Sequence, residues 1–349
     1  MRSKLEPLVR KLLEEQSLTI EEYELLICRR DGETAALLAE LATQQARAVY
    51  GKRIFVRGLV EISNICRNDC LYCGIRRSNK ACDRYRLTKE QILDCAREGY
   101  ELGFRTIVLQ GGEDGYFTDG LVCEIVRSIK EDHLDCAVTL SLGERSRESC
   151  QRLFEAGADR YLLRHETADQ AHYEALHPAA MSYHHRMACL RDLHEIGFQT
   201  GCGFMVGSPG QTIRNLAQDL KFVEEFSPEM CGIGPFIPHK DTPFRNQPAG
   251  SVELTCYLLS ILRLIKPNLL LPATTALGSI DPTGREKGIL AGANVVMPNL
   301  SPADVRSKYM LYNNKLSSGA EAAQNLEDLR VRMAAIGYEV AVDRGDIKK

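Results

Sequence analysis

The residues with the clearest chemical spacing are Cys66, Cys70 and Cys73, in the run Cys66-Arg-Asn-Asp-Cys70-Leu-Tyr-Cys73. Three thiolates at C-x3-C-x2-C spacing can wrap one small inorganic centre on a single loop. A structural zinc site asks for four protein ligands, usually as two separated pairs, and ferredoxin-type clusters likewise ask for four thiolates. Three ligands leave one metal position open, as a site that binds a small molecule at the metal requires. Cys82 is the next thiol, but it lies nine residues beyond Cys73, past Arg76-Arg77, with no cysteine paired to it. The bland alternative is a chance grouping in a chain of thirteen cysteines. Cys28, Cys95, Cys123, Cys150, Cys189 and Cys256 stand alone in helical patterns. They read as reduced thiols of a reducing compartment rather than a secreted disulfide framework.

The elements that must position the triplet follow from periodicity. Helical patterns open the chain over Ser3–Glu15, Thr19–Arg29 and Glu33–Val49, and Arg53–Ile65 is the first strand candidate. Further strand-like runs at 105–110, 137–142, 160–164, 200–206, 232–237, 268–274 and 294–297 alternate with amphipathic helices such as 89–102, 147–156, 185–196, 213–226 and 252–265. Eight strands alternating with helices over about 250 residues predict an α/β fold, a full parallel (β/α)8 TIM barrel. An open doubly wound sheet is the alternative. Gly103, Gly157 and Gly197 suit left-handed helix ends, and Thr88 with Gln91 suits a capping box. The expected organisation is an N-terminal helical extension over 1–50, the barrel over 51–300 and a C-terminal tail over 301–349. The tail packs on the barrel and carries one helix, Ala320–Ile336.

In such a barrel the C-terminal ends of the strands line the active site. Those ends carry Cys66–Cys73, Gly111-Gly112-Glu113, Ser141, Arg164–Glu166, Met205–Gly207, Pro238-His239, Thr274-Thr275 and Asn299, a polar rim suited to an enzyme's mouth. The 349 residues include 44 basic and 47 acidic side chains, a net charge of −3, with 44% hydrophobic residues. That balance, with no Lys/Arg block, predicts no nucleic-acid partner. No apolar stretch is long enough for a membrane span, and the charged amphipathic N-terminus predicts a cytoplasmic enzyme.

With Tyr72 before its last cysteine, the triplet resembles the signature of radical S-adenosylmethionine (SAM) enzymes. The resemblance implies one 4Fe–4S cluster on Cys66, Cys70 and Cys73. Its fourth iron would take the amino and carboxylate groups of SAM, and an electron from the cluster would cleave SAM to methionine and a 5′-deoxyadenosyl radical. Gln110-Gly111-Gly112-Glu113 resembles the family's GGE motif, which meets the methionine ammonium, although a plain turn would also use Gly111-Gly112. By the same resemblance Glu166 takes the ribose hydroxyls, Arg186 the SAM carboxylate and Ser141 a further contact. Val206–Gly210 and Gly232-Ile233-Gly-Pro235 would shape the adenine and methionine pockets, with Tyr72 beside them.

The stretches Ser141–Glu144, Asp159–Thr167, Gly232–His239, Leu271–Leu277 and Gly292–Asn299 more closely resemble the HydE family of FeFe-hydrogenase maturases, over residues 50–312. That implies assembly of the di-iron subcluster of the hydrogenase H-cluster. The substrate would be a small organometallic species, an iron–carbonyl–cyanide–cysteine precursor attacked at sulfur, with an electron donor and other hydrogenase maturases as partners. One departure stands out. Some members carry three more cysteines near the C-terminus, whereas no cysteine follows Cys256 here and the corresponding stretch is KYMLYNNKLSSGAEAAQN.

The residues suit an anionic substrate. Period-two alternation places Arg160, Arg164 and Glu166 on one strand face, assigned to the interior, where a guanidinium needs an anionic partner. Thr139, Thr274 and Thr275 add hydroxyl donors, and Tyr309 could cap the cavity. Arg160 suits a rim salt bridge as well as a substrate contact. His165 points the other way as a structural histidine, and His239 is left open. The rivals are a methylornithine-synthase-like or biotin-synthase-like barrel and a non-catalytic iron–sulfur or zinc scaffold.

Overall fold

The computed structural model describes residues 4–316 and 322–348. Its centre is a six-stranded parallel sheet in the order Gly58–Ser63, Thr106–Gly111, Ala137–Ser141, Arg160–Leu162, Gln199–Cys202 and Met230–Cys231. Single parallel bridges continue from the last of these, Met230 to Leu270, Pro272 to Val295, and Asn299 back to Leu59. The arrangement is consistent with a TIM-like barrel. The run at 268–274 contributes the first two of these bridges, through Leu270 and Pro272, in place of a regular strand. Helices Lys89–Glu101, Asp119–Asp132, Arg147–Glu155, Tyr183–Ile196, Ile213–Phe226 and Val252–Ile265 intervene between successive stretches of sheet. Thr88 and Gln91 form the expected capping box, and Gly103, Gly157 and Gly197 have φ of 97°, 106° and 107°.

Two strands are broken where the sequence suggested one. Arg53–Ile65 divides at Arg57 into Arg53–Val56, which pairs with Val295–Val296, and Gly58–Ser63, which pairs with Thr106–Gly111. The run at 200–206 divides at Gly203, whose φ is 156°. A Cβ there would stand 2.1 Å from the carbonyl oxygen of Gly232, so only glycine lets the neighbouring segment approach.

The N-terminal helices Glu6–Glu15, Ile20–Cys28 and Gly32–Tyr50 pack on the outer layer. Tyr23 donates to Glu224 Oε2 at 2.7 Å, and Tyr257 donates to the Leu26 carbonyl at 2.8 Å. The C-terminal tail is more than helical. After Leu326–Ala335, the strand Glu339–Ala341 pairs in parallel with Arg53–Val56. The predicted start of that helix, Ala320, lies outside the described residues, as does part of the cysteine-free stretch.

The tail decides the place of Arg160. This residue opens its strand, and in a parallel sheet that puts it at the end opposite the cysteines. Four residues at about 3.3 Å each separate it from Arg164, roughly 13 Å along the strand. Its Nη2 lies 2.6 Å from Asp346 Oδ1 and donates to the Arg344 carbonyl, while Nη1 donates to Thr106 Oγ1 at 2.9 Å. Arg160 therefore anchors the tail through a salt bridge, at the end of the strand away from the mouth and off the cavity wall. Alternation identified its face and not its height.

Arg160→Met should lower unfolding stability by about 2–4 kcal/mol, because Asp346, Thr106 and the Arg344 carbonyl lose the buried guanidinium that satisfies them, and should leave SAM affinity unchanged. Urea unfolding and equilibrium dialysis check both. Burial opposes the Asp346 charge, but Arg160 and Arg344 hold its carboxyl at about 2. This contribution is complete above the unfolded carboxyl's range near 3.9 and is lost as pH falls through about 2.

Candidate active site

The cysteine loop leaves the strand Gly58–Ser63 with no regular structure, so side chains must hold it. Arg84 donates to the carbonyls of Asn64, Ile75, Arg76 and Asn79, tying the two ends of the loop together. Asp69 accepts from Arg76 Nε at 2.8 Å and from Ser78. Ser63 Oγ accepts from the Ile65 amide and donates to Asp114 at 2.7 Å. Gly112 packs directly beneath the loop. A Cβ there would meet the Ile65 carbonyl at 2.2 Å and Cys66 Cβ at 2.8 Å, so the glycine pair serves close packing as well as a turn.

Cys66, Cys70 and Cys73 line one cavity of about 340 Å³, within the range of small-molecule sites. Burial pushes all three thiols up, Cys73 to about 12, and for Cys70 and Cys73 neighbouring thiols add to the effect. Bare, these groups stay protonated near neutrality; three thiolates here call for a cationic centre. Among the described residues no three His, Cys, Asp or Glu side chains converge on one metal-ion position. Cys82 is not among the residues lining the cavity; its Sγ lies 3.6 Å from Asn64 Nδ2.

Most predicted contacts line the same cavity: Tyr72, Gly111, Gly112, Glu113, Ser141, Arg164, Glu166, Arg186, Thr274, Thr275 and Tyr309. Tyr72 is placed by His177, whose Nε2 is 3.1 Å from the phenol oxygen. The Glu113 carboxylate pairs with Arg67 at 2.8 Å and accepts from the Glu144 amide. Arg186 donates to Glu144 Oε1 at 2.5 Å and to the Arg164 carbonyl at 2.9 Å. Burial works against its charge, but Glu144 and other neighbours push its pKa up. Arg164 Nη2 lies 3.4 Å from Glu166 Oε2. Apart from that ion pair, which is out of line for a hydrogen bond, Arg164 Nε and Nη2, Glu166 Oε2 and Thr274 Oγ1 are buried without hydrogen-bond partners. Such orphaned atoms mark a place for a polar ligand.

Four predicted contacts stand elsewhere. Arg160 is at the opposite end, as above, and Thr139 is buried one pleat below Ser141, in register with Arg160 and off the cavity wall. Gly232 and Ile233 also miss the wall: Ile233 is wholly buried in the core, and the segment that faces the cavity is Gly234–Ile237. Strand alternation there is lost at the break between Met230–Cys231 and Gly234–Pro235. His165 is wholly buried and pushed down to about 3 by burial, a neutral structural histidine. His239 packs its ring against Gly74, off the cavity wall.

The sequence reading missed an ion pair on the cavity wall. Glu61, wholly buried, accepts from Lys315 Nζ at 2.7 Å and from Asn299 Nδ2 at 2.9 Å. Lys315 Nζ also sits 5.4 Å from the centre of the Tyr309 ring. Glu61 shares register with Gln110, so alternation along the first strand could have found it. Nothing local marks Lys315.

Residues 60–223 match the family model described as the radical SAM superfamily. Over 279 residues the chain is 48% identical to the FeFe hydrogenase maturase subunit HydE of Thermotoga maritima, covering 80% of this chain and 79% of that protein. The chain belongs to the HydE family of radical SAM enzymes. It is also 27% identical over 334 residues to the 3-methylornithine synthase of Methanosarcina acetivorans, covering 95% and 93% of the two chains. The crystal structure of methylornithine synthase (PylB) superposes with a TM-score of 0.84 at 26% identity, covering 96% of this chain and 97% of that one. Membership in the HydE family implies a 4Fe–4S cluster and SAM, and the residues fit both: Cys66, Cys70 and Cys73 for the cluster, and the orphaned atoms of Arg164 and Glu166 for a polar ligand beside it.

Proposed function

We propose that this chain acts in maturation of an FeFe hydrogenase, binding one 4Fe–4S cluster on Cys66, Cys70 and Cys73 and SAM against Glu113, Ser141, Glu166 and Arg186. When bound, the cluster and SAM supply reductive cleavage to a 5′-deoxyadenosyl radical. The chain's own residues do the rest. Glu113 takes the methionine ammonium, Glu166 the ribose hydroxyls, and Arg186, steadied by Glu144, the carboxylate. Arg164, Thr274, Thr275 and Tyr309 hold an anionic iron–carbonyl–cyanide–cysteine precursor, and the apolar remainder of the wall excludes water. The sheet and its bridges are read as a closed eight-fold barrel at 51–300, with 1–50 and 301–349 packed on it. Cytoplasmic partners would be an electron donor and other maturases.

The observation that carries this reading is the 48% identity to a HydE maturase across 80% of the chain, joined to a cavity that gathers the cysteines with Glu113, Glu166 and Arg186. The likeness to methylornithine synthase in fold favours a mutase as second reading. The test has two parts. Anaerobic protein given SAM and dithionite should release 5′-deoxyadenosine, and the gene should restore hydrogenase maturation in a strain lacking it. Cleavage without complementation moves the function to the mutase. No cleavage leaves the scaffold.

A further inference from the structure

Glu166 has φ of 67°, a left-handed conformation in a residue that is not glycine. Such a backbone costs on the order of 1–3 kcal/mol and persists only where the surroundings hold it. Every residue around it is pinned. The Glu166 amide donates to the Gly203 carbonyl at 3.0 Å. The Gly203 amide donates to His165 Nδ1 at 3.2 Å. With Nδ1 accepting, the ring hydrogen of neutral His165 is on Nε2, which lies 3.3 Å from Asp219 Oδ1 but out of line for a hydrogen bond. The same Oδ1 accepts from the Ala168 amide at 2.5 Å. Thr167 Oγ1 is 3.2 Å from His172 Nδ1, and Tyr183 donates to the Ala168 carbonyl at 2.8 Å.

Asp219 is wholly buried on the helix Ile213–Phe226 and is not among the residues lining the cavity; among the described residues no cation pairs with it, and the ring against it is the neutral imidazole of His165. An uncompensated buried carboxyl is expensive, and burial pushes its pKa up. One oxygen touches both ends of the Glu166 turn, accepting from the amide of residue 168 and lying against the ring of residue 165.

We infer that Asp219 and His165 are positioning residues that hold Glu166 in its left-handed conformation and so determine how tightly the ribose of SAM is gripped. The inference rests on the assignment of the ribose hydroxyls to Glu166 proposed above. Asp219 touches no substrate and acts only through the turn.

The test uses the cluster-loaded full chain and equilibrium dialysis with SAM and with its 2′-deoxyribose counterpart. Asp219→Ala should bind SAM about tenfold more weakly and lose most of the preference for the ribose hydroxyl. Asp219→Asn, which keeps an acceptor at Oδ1, should restore both. His165→Phe keeps an aromatic ring beside Phe204 and Phe222 but removes both ring nitrogens, and it should repeat the loss even if the alanine variant folds poorly. A purely structural role would lower thermal stability while leaving the hydroxyl preference intact in His165→Phe and Asp219→Ala, and that result overturns the inference. Glu166→Gln separates the two claims. If it abolishes the preference while the Asp219 and His165 variants keep it, the inference fails and the ribose assignment stands; if it has no effect, both fall.

Discussion

Cys70→Ala should reduce 5′-deoxyadenosine release from SAM by at least about a thousandfold, equivalent to about 4 kcal/mol or more of barrier. Cys70 is the middle thiol of the triplet and lines the cavity with Tyr72 and Glu166. With one of three thiolates gone, two side chains remain to hold the iron, and Cys82 is not on the cavity wall to replace it. The check is single-turnover cleavage in anaerobic, reconstituted protein with iron content measured on the same sample. The parallel Cys82→Ala variant should cleave like wild type. Retained cleavage in Cys70→Ala would remove the cluster assignment.

The contrast between these cysteines shows how far spacing carries. The triplet was legible from its spacing, a local property, whereas Gly111-Gly112-Glu113, Glu166 and Arg186 were legible through the family resemblance; the fold brings all of them to one wall. Arg160 was misplaced for a physical reason: alternation reports which face a side chain takes, while distance from the mouth depends on where the strand starts. The strand Glu339–Ala341 escaped notice because its partner, Arg53–Val56, is almost the whole chain away. Glu144 stood within a quoted motif, yet its role depends on Arg186 arriving from a later helix. The identity of the small molecule in the cavity rests on relatives, since hydroxyls and guanidinium groups specify charge and polarity more than chemistry.

The second large effect concerns the ion pair that periodicity did not deliver. Lys315→Met should destabilise the protein by about 3–5 kcal/mol, because it leaves the Glu61 carboxylate buried with only Asn299 against it. Glu61→Gln should cost less than this, since an amide still accepts from Asn299. The double variant, with no isolated charge, should recover most of the loss. Urea unfolding of the two single variants and the double variant gives the coupling directly, and about 2 kcal/mol or more is the expected result. A coupling near zero, with Lys315→Met close to wild type, would mean that Glu61 does not depend on the lysine. Because the pair lies on the cavity wall beside Tyr309, its loss should also weaken retention of an anionic substrate without altering SAM cleavage in its absence.

The central claim is that three cysteines hold an iron–sulfur cluster with one iron left for SAM. Mössbauer and electron paramagnetic resonance spectra of the anaerobically reconstituted protein, recorded before and after SAM is added, measure that. About four irons per chain in a cubane are expected, with the signal of one iron site changing when SAM is added and unchanged by SAM-free buffer. A tetrahedral zinc site completed by a fourth side chain, or a cluster whose spectrum ignores SAM, would contradict it.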